Sequence, residues 1–204
     1  MSRNYSCAAA VRASAVALTL LLSACASTGP RSAASVASYR DTVELSGRLS
    51  VNYEKDSKPE SLSGKFTWAQ TPAAVDVALA SPLGQTLATI KFTPDSATLT
   101  QTDRAPKVAR DIDTLTAQAL GWSLPVSGLR DWLQGYATAA DGSRFVASPA
   151  HDTVTTRDGW RLRYVSWQEE GAAPSRPKRI DVERLAGGQV DEMAIRIVID
   201  EPAP

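Results

Sequence analysis

The sequence predicts a mainly β protein: a single curved antiparallel sheet of about ten to eleven strands with a helical lid. Three observations predict it. Apolar and polar residues alternate with period two along most of residues 43–102 and again from about 145 onward. Short turn signals rather than long crossovers separate these runs, which is the signature of antiparallel neighbours. Between the two β blocks, residues 109–135 switch to helical spacing. About ten strands are more than one flat sheet holds comfortably, so the sheet is expected to curl. A helical pair inserted mid-sheet lies most simply across the concave face.

In chain order, Val43, Leu45, Gly47, Leu49, Val51 and Tyr53 share one face of a first strand, with Glu44, Ser46, Arg48, Ser50 and Asn52 on the other. A polar loop is expected over residues 54–61. Leu62, Gly64, Phe66 and Trp68 then mark a second strand, and Val75, Val77 and Leu79 a third. Residues 86–92 and 97–102 make the fourth and fifth. Asp111 or Asp113 can cap a helix whose stripe is Ile112, Leu115, Ala119 and Leu120, ending at Gly121. Pro125 can open a second helix with Val126, Leu129, Trp132 and Leu133 on one face and Gly135 at its end. Asp158-Gly159 between residues 153–157 and 160–167 is a hairpin signal. Ile180 and Val182 begin a further strand after a polar loop over residues 169–177, and Met193, Ile195, Ile197 and Ile199 alternate through the last. Val36, Tyr39 and Val43 sit at i, i+3 and i+7, which predicts a short helix over about 35–42. No internal repeat or second-domain boundary is visible.

One turn stands out. Ser81-Pro82-Leu83-Gly84 separates two apolar runs. Pro82 suits the second turn position and Gly84 the fourth. Leu83 is thereby held at the tip, where a polar residue is usual. Single exposed leucines are common; the sharper alternative is that this tip touches something apolar, such as a membrane.

The N-terminus reads as an address. Arg3 and Arg12 are the only charges in residues 1–24, and residues 13–22 are apolar apart from Ser14 and Thr19. That run is too short to span a bilayer. It ends in Leu22-Ser23-Ala24-Cys25, which resembles the bacterial lipobox. Residues 1–24 are therefore expected to be a cleaved lipoprotein signal peptide, Cys25 the lipid attachment site, residues 25–35 an acylated tether, and residues 36–204 the folded domain. Cleavage would remove Cys7 and acylation would use Cys25, leaving no thiol for a disulfide. It would also remove two of the 22 basic residues and none of the 22 acidic ones, so the mature chain would be mildly acidic. Ala26 is not an aspartate, which favours the outer membrane. Two or more acyl chains anchor stably.

Charge balance excludes a nucleic-acid partner, and one histidine with two cysteines leaves little for a metal site. No glycine-rich phosphate loop or Gly-x-Ser-x-Gly elbow is present. His151 reads as a solvated loop residue, and Asp111 with Asp113 as a cap and dipole partner. Neither reads as catalytic, so no enzyme activity and no cofactor are expected. Arg161, Arg163, Arg176, Lys178 and Arg179 fit either a solvated face or a contact with anionic headgroups. The large inward apolar residues Phe66, Trp68, Trp122, Trp132, Trp160 and Trp167 fit an ordinary core, or the walls of a cavity between sheet and lid.

Several of these stretches resemble the outer-membrane lipoprotein receptor LolB family. They are Gly64-Lys65-Phe66-Thr67-Trp68 with Gln70, Ser81-Pro82-Leu83-Gly84, Gly121-Trp122 through Leu124-Pro125, Leu129-Arg130-Asp131-Trp132-Leu133 to Gly135, and the lipobox. Residues 54–61, 138–143 and 201–204 carry no family motif. The resemblance implies an unclosed barrel whose cavity takes the acyl chains of a lipoprotein from a LolA-like carrier and delivers it to outer-membrane phospholipid, without nucleotide hydrolysis. It implies Pro82, Leu83 and Gly84 as the membrane-delivery hairpin. It implies Phe66, Trp68, Leu79, Leu87, Trp122, Leu129, Trp132, Leu133, Trp160 and Leu162 as cavity and lid residues. Arg130 is implied either to hydrogen-bond within the lid or to touch ligand. The protein would sit as a monomer on the periplasmic face. A static lipid-binding or envelope-sensing lipoprotein of the same fold is the alternative.

Overall fold

The period-two runs all become strands, and their registers show how they are joined. In the computed structural model, β1 (Val43–Lys55), β2 (Lys58–Gln70), β3 (Val75–Ala80), β4 (Thr86–Phe92), β5 (Ala97–Gln101) and β6 (Lys107–Ala109) follow in order. Two helices come next, α1 (Ile112–Leu120) and α2 (Leu129–Trp132). Then come β7 (Tyr136–Thr138), β8 (Arg144–Val146), β9 (Thr153–Thr155), β10 (Trp160–Gln168), β11 (Arg176–Arg184) and β12 (Met193–Ile199). The structure describes residues 31–55, 58–120, 124–168, 174–184 and 193–201. Ser32–Pro204 is one compact unit; of the other, Met1–Arg31, only Arg31 is described. The expected signal peptide, Cys25, Gly121 and Trp122 lie outside the described residues.

Ten strands form one curved antiparallel sheet in the order β6-β5-β4-β3-β2-β1-β12-β11-β10-β9. The pairing of β1 with β12 brings the two β blocks together in one sheet. The order does not return on itself: β6 and β9 are its two ends, β9 meets the stretch after β7 where Ala140 N donates to the Thr155 carbonyl, and the barrel is open. β7 and β8 form a separate hairpin.

Four expectations are corrected. Residues 54–61 are mostly strand: Glu54 pairs with Pro59 and Lys55 with Lys58. Backbone pairing does not need apolar side chains, and Pro59 is tolerated because β3 pairs with β2 only from Lys65 onward. The loop expected over 169–177 is cut short at its end, where β11 already starts at Arg176. Residues 35–42 are not helical. Their backbone donors go to distant acceptors, Val36 to the Ala147 carbonyl and Ala37 to the Ser175 carbonyl, both at 3.0 Å, and Arg40 to Gln134 Oε1 at 2.9 Å. The expected second helix, 125–135, is α-helical only at residues 129–132. On either side the bonds reach back three residues, as from Gly128 to Pro125 and from Gly135 to Trp132, giving tighter 3₁₀-type turns.

Candidate functional site

Side chains of directly paired residues point to the same side of a sheet, so the registers define the concave face. Phe66, Trp68 and Gln70 of β2 lie opposite Gly47, Leu45 and Val43 of β1, and opposite Leu79, Val77 and Val75 of β3. The face continues through Ala88, Ile90 and Phe92 on β4. On the other side it runs through Ile195, Ile197 and Ile199 on β12, Ile180 and Val182 on β11, and Trp160, Leu162 and Tyr164 on β10. The opposite, convex face is polar, with Ser46, Arg48, Lys65, Thr67, Arg163, Asp181 and Arg196.

Burial is uneven over the concave face. Phe66, Trp68, Trp160 and Leu162 are buried. Leu49, Leu79 and Ile90 are only partly buried, and Leu62, opposite Val51, is 48 % exposed. Leu87 does not join the face as the alternation anticipated. The register passes from Leu79–Ala88 to Ala80–Thr86, so Leu87 is the residue the bulge skips, and it is 51 % exposed.

Residues 112–120 and 124–135 pack on the concave face. Asp111 caps α1, its Oδ1 accepting from Thr114 N at 2.6 Å. These bonds from the Thr114 amide and hydroxyl hold the Asp111 carboxyl below the usual carboxylate range. Asp113 reaches forward: its carboxylate accepts from Ser127 N at 3.1 Å and Ser127 Oγ at 2.6 Å, tying α1 to the turn before α2. Ile112, Leu115, Val126, Trp132 and Leu133 are buried in the same core as the concave face, with Leu129 partly buried against it. On one side Tyr164 donates to the Trp132 carbonyl at 3.2 Å. On the other Arg130 donates to the Thr71 carbonyl at 3.0 Å, in the turn between β2 and β3. Arg130 thus bridges lid and sheet, a role not foreseen in the sequence.

Behind the lid runs a polar relay. Trp68 Nε1 donates to Gln70 Oε1 at 3.1 Å, and Gln70 Nε2 donates to the Tyr39 hydroxyl at 3.0 Å. Burial and the nearby Asp131 carboxylate push the Tyr39 hydroxyl up from its ordinary pKa. No buried side-chain nitrogen or oxygen among the described residues lacks a partner.

The tip between β3 and β4 is built as anticipated. Gly84 N donates to the Ser81 carbonyl at 2.9 Å, and Ser81 N donates to the Gln85 carbonyl at 2.8 Å. Gly84 takes φ +91°, which closes the three-residue loop. Leu83 is 92 % exposed.

The remaining candidates fall elsewhere. His151 is exposed, its ring 4.8 Å from that of Phe145. The Arg163, Arg179 and Arg196 guanidinium groups surround Asp181 on the convex face at 4.0, 2.7 and 3.4 Å. Lys178 pairs with Glu201 at 3.0 Å. No cluster of potential metal ligands occurs among the described residues.

Residues 41–201 match the family model described as outer membrane lipoprotein LolB. The chain belongs to the LolB family. The LolB of Cupriavidus taiwanensis is 40 % identical over 190 residues, covering 91 % of this chain and 93 % of that one. The LolB of Thiobacillus denitrificans is 33 % identical over 185 residues, covering 90 % and 92 %. That of Bordetella pertussis is 30 % identical over 165 residues, covering 79 % of each. Membership in the LolB family makes this chain an outer-membrane lipoprotein with a role in lipoprotein localisation.

Proposed function

We propose that this LolB-family protein accepts a lipoprotein from a LolA-like soluble carrier, holds its acyl chains against the concave face and inserts them into the outer membrane. In this reading Cys25 carries the lipid anchor, and the protein acts without chemical catalysis. The observation that carries it is a concave apolar face on a sheet that does not close, part-exposed at Leu49, Leu62, Leu79 and Ile90.

Magnitudes support an exchange of lid for cargo. An acyl chain in water costs on the order of 10 kcal/mol, from about 0.8 kcal/mol per CH₂. Exposing Ile112, Leu115, Val126, Trp132 and Leu133 would cost roughly 10 kcal/mol by the same area rule. These are of one order, so an entering chain can offset the displacement of the side chains that fill the face. Phe66, Trp68, Leu79, Trp132, Leu133, Trp160 and Leu162 then serve as core in the closed state and as cavity wall in the loaded one. Direction without nucleotide requires only that each successive acceptor bind more favourably.

The test is a relay. Carrier-bound lipoprotein is mixed with the purified protein, and liposomes are added afterwards. Cargo is expected to move to this protein and then to the bilayer. Cargo that stays on the carrier would contradict the acceptor role, and cargo that moves once and stops would indicate storage.

A further inference from the structure

Residues 36–40 form a strap that leaves the tether and crosses the lid before β1 begins. Its contacts are concentrated on the last turn of the lid. The Gln134 side-chain amide grips one backbone residue from both sides: Oε1 accepts from Arg40 N at 2.9 Å, and Nε2 donates to the Arg40 carbonyl at 3.0 Å. Gly135 takes φ +87°, and a side chain there would collide with Val36, whose Cγ1 lies 2.8 Å from the Cβ position. Val36 is buried in that contact. The Tyr136 hydroxyl donates to the Ala37 carbonyl at 2.9 Å, and the rings of Tyr39 and Tyr136 meet edge to face at 5.6 Å.

The strap is held equally firmly to the scaffold. Val36 N and Ala37 N donate to the Ala147 and Ser175 carbonyls, and Gln70, itself buried, donates to the Tyr39 hydroxyl. One short segment therefore joins β2, the strand end after β8 and the approach to β11 to Gln134 and Gly135 at the end of the lid and to Tyr136, where β7 begins.

We propose that residues 36–40 are a clamp on the lid: the strap must release Gln134, Gly135 and Tyr136 before α2 can lift from the concave face. This deepens the acceptor reading and rests on it for its purpose. Residues 26–35 alone separate the clamp from Cys25, so the strap is the segment through which the membrane anchor can act on the lid.

A reversible cross-link tests it. A Cβ placed on Gly135 falls 3.3 Å from Val36 Cβ, near the spacing of about 3.8 Å in a disulfide. The lipidated full-length Val36→Cys/Gly135→Cys protein is compared oxidised and reduced. The readouts are amide exchange over residues 112–120 and 129–135 and uptake of a fluorescent diacyl lipopeptide. The disulfide is expected to slow both by roughly tenfold or more, with recovery on reduction. Because a cysteine at φ +87° is strained, Gln134→Ala provides a second arm, expected to speed lid exchange by roughly tenfold over the unaltered protein. Equal lid exchange in the oxidised and reduced forms overturns the clamp. If the double variant does not fold, unchanged exchange in Gln134→Ala overturns it. If lid exchange responds as expected but neither redox form nor the unaltered protein takes up the lipopeptide, the clamp stands and the acceptor reading fails.

Discussion

Leu83 has almost no packing to lose, since 92 % of it faces solvent. Leu83→Glu is therefore expected to change stability by less than about 0.5 kcal/mol. It is expected still to accept cargo from the carrier but to deliver it poorly to liposomes. Normal delivery by this variant would remove the hairpin from the release step. Asp181 makes a different residue-scale case. Desolvation would raise its pKa, but the hydrogen bond and charge of Arg179, helped by Arg196, outweigh it and leave the carboxyl below its ordinary value. A depressed folded-state pKa stabilises above the unfolded carboxylate range, and that contribution is lost as pH falls through the folded value. Asp181→Asn is expected to cost about 1 kcal/mol at neutral pH. It should also flatten the acid limb of a pH–stability curve below about pH 4, the unfolded carboxylate range. An unchanged limb would assign the acid sensitivity to other carboxylates. The tip leucine was legible because Pro82 and Gly84 determine the turn locally. The partners of Gln70 and Gln134 were not, because Tyr39 and Arg40 lie 31 and 94 residues away and no local pattern links them.

Elements were legible where a period and a local end signal agreed. Asp111 and the stripe from Ile112 located α1 to within a residue of its start. Asp111→Ala is expected to destabilise the protein through loss of the cap, visible as a lower denaturation midpoint. A shift indistinguishable from zero would mean that tertiary packing alone holds α1. The strap shows the converse. Val36, Tyr39 and Val43 have helical spacing, yet each packs for a different tertiary reason: Val36, buried, against Gly135; Tyr39, partly buried, on Gln70 and Tyr136; Val43, buried, in β1. Three apolar residues in eight are too few for spacing to outweigh long-range contacts. The short strands β6 and β7 gave no signal of their own, because three residues show no period.

At the scale of the whole molecule, the curved sheet with helices between its two β blocks was visible in the alternation and the short turns. The closure of β1 onto β12 was not, because that pairing joins distant parts of the chain. Nor was it legible that the concave face is filled by side chains from both sheet and lid, with Leu62 left 48 % exposed. The central claim is that this face holds acyl chains. The most direct test places a photoreactive amino acid at Leu62 on the concave face and, in a second protein, at Arg196 on the convex face. Each is loaded with a diacylated lipoprotein and illuminated. Cross-links to the acyl chains are expected from position 62 and not from position 196; equal yields, or acyl cross-links from position 196 alone, would contradict the account.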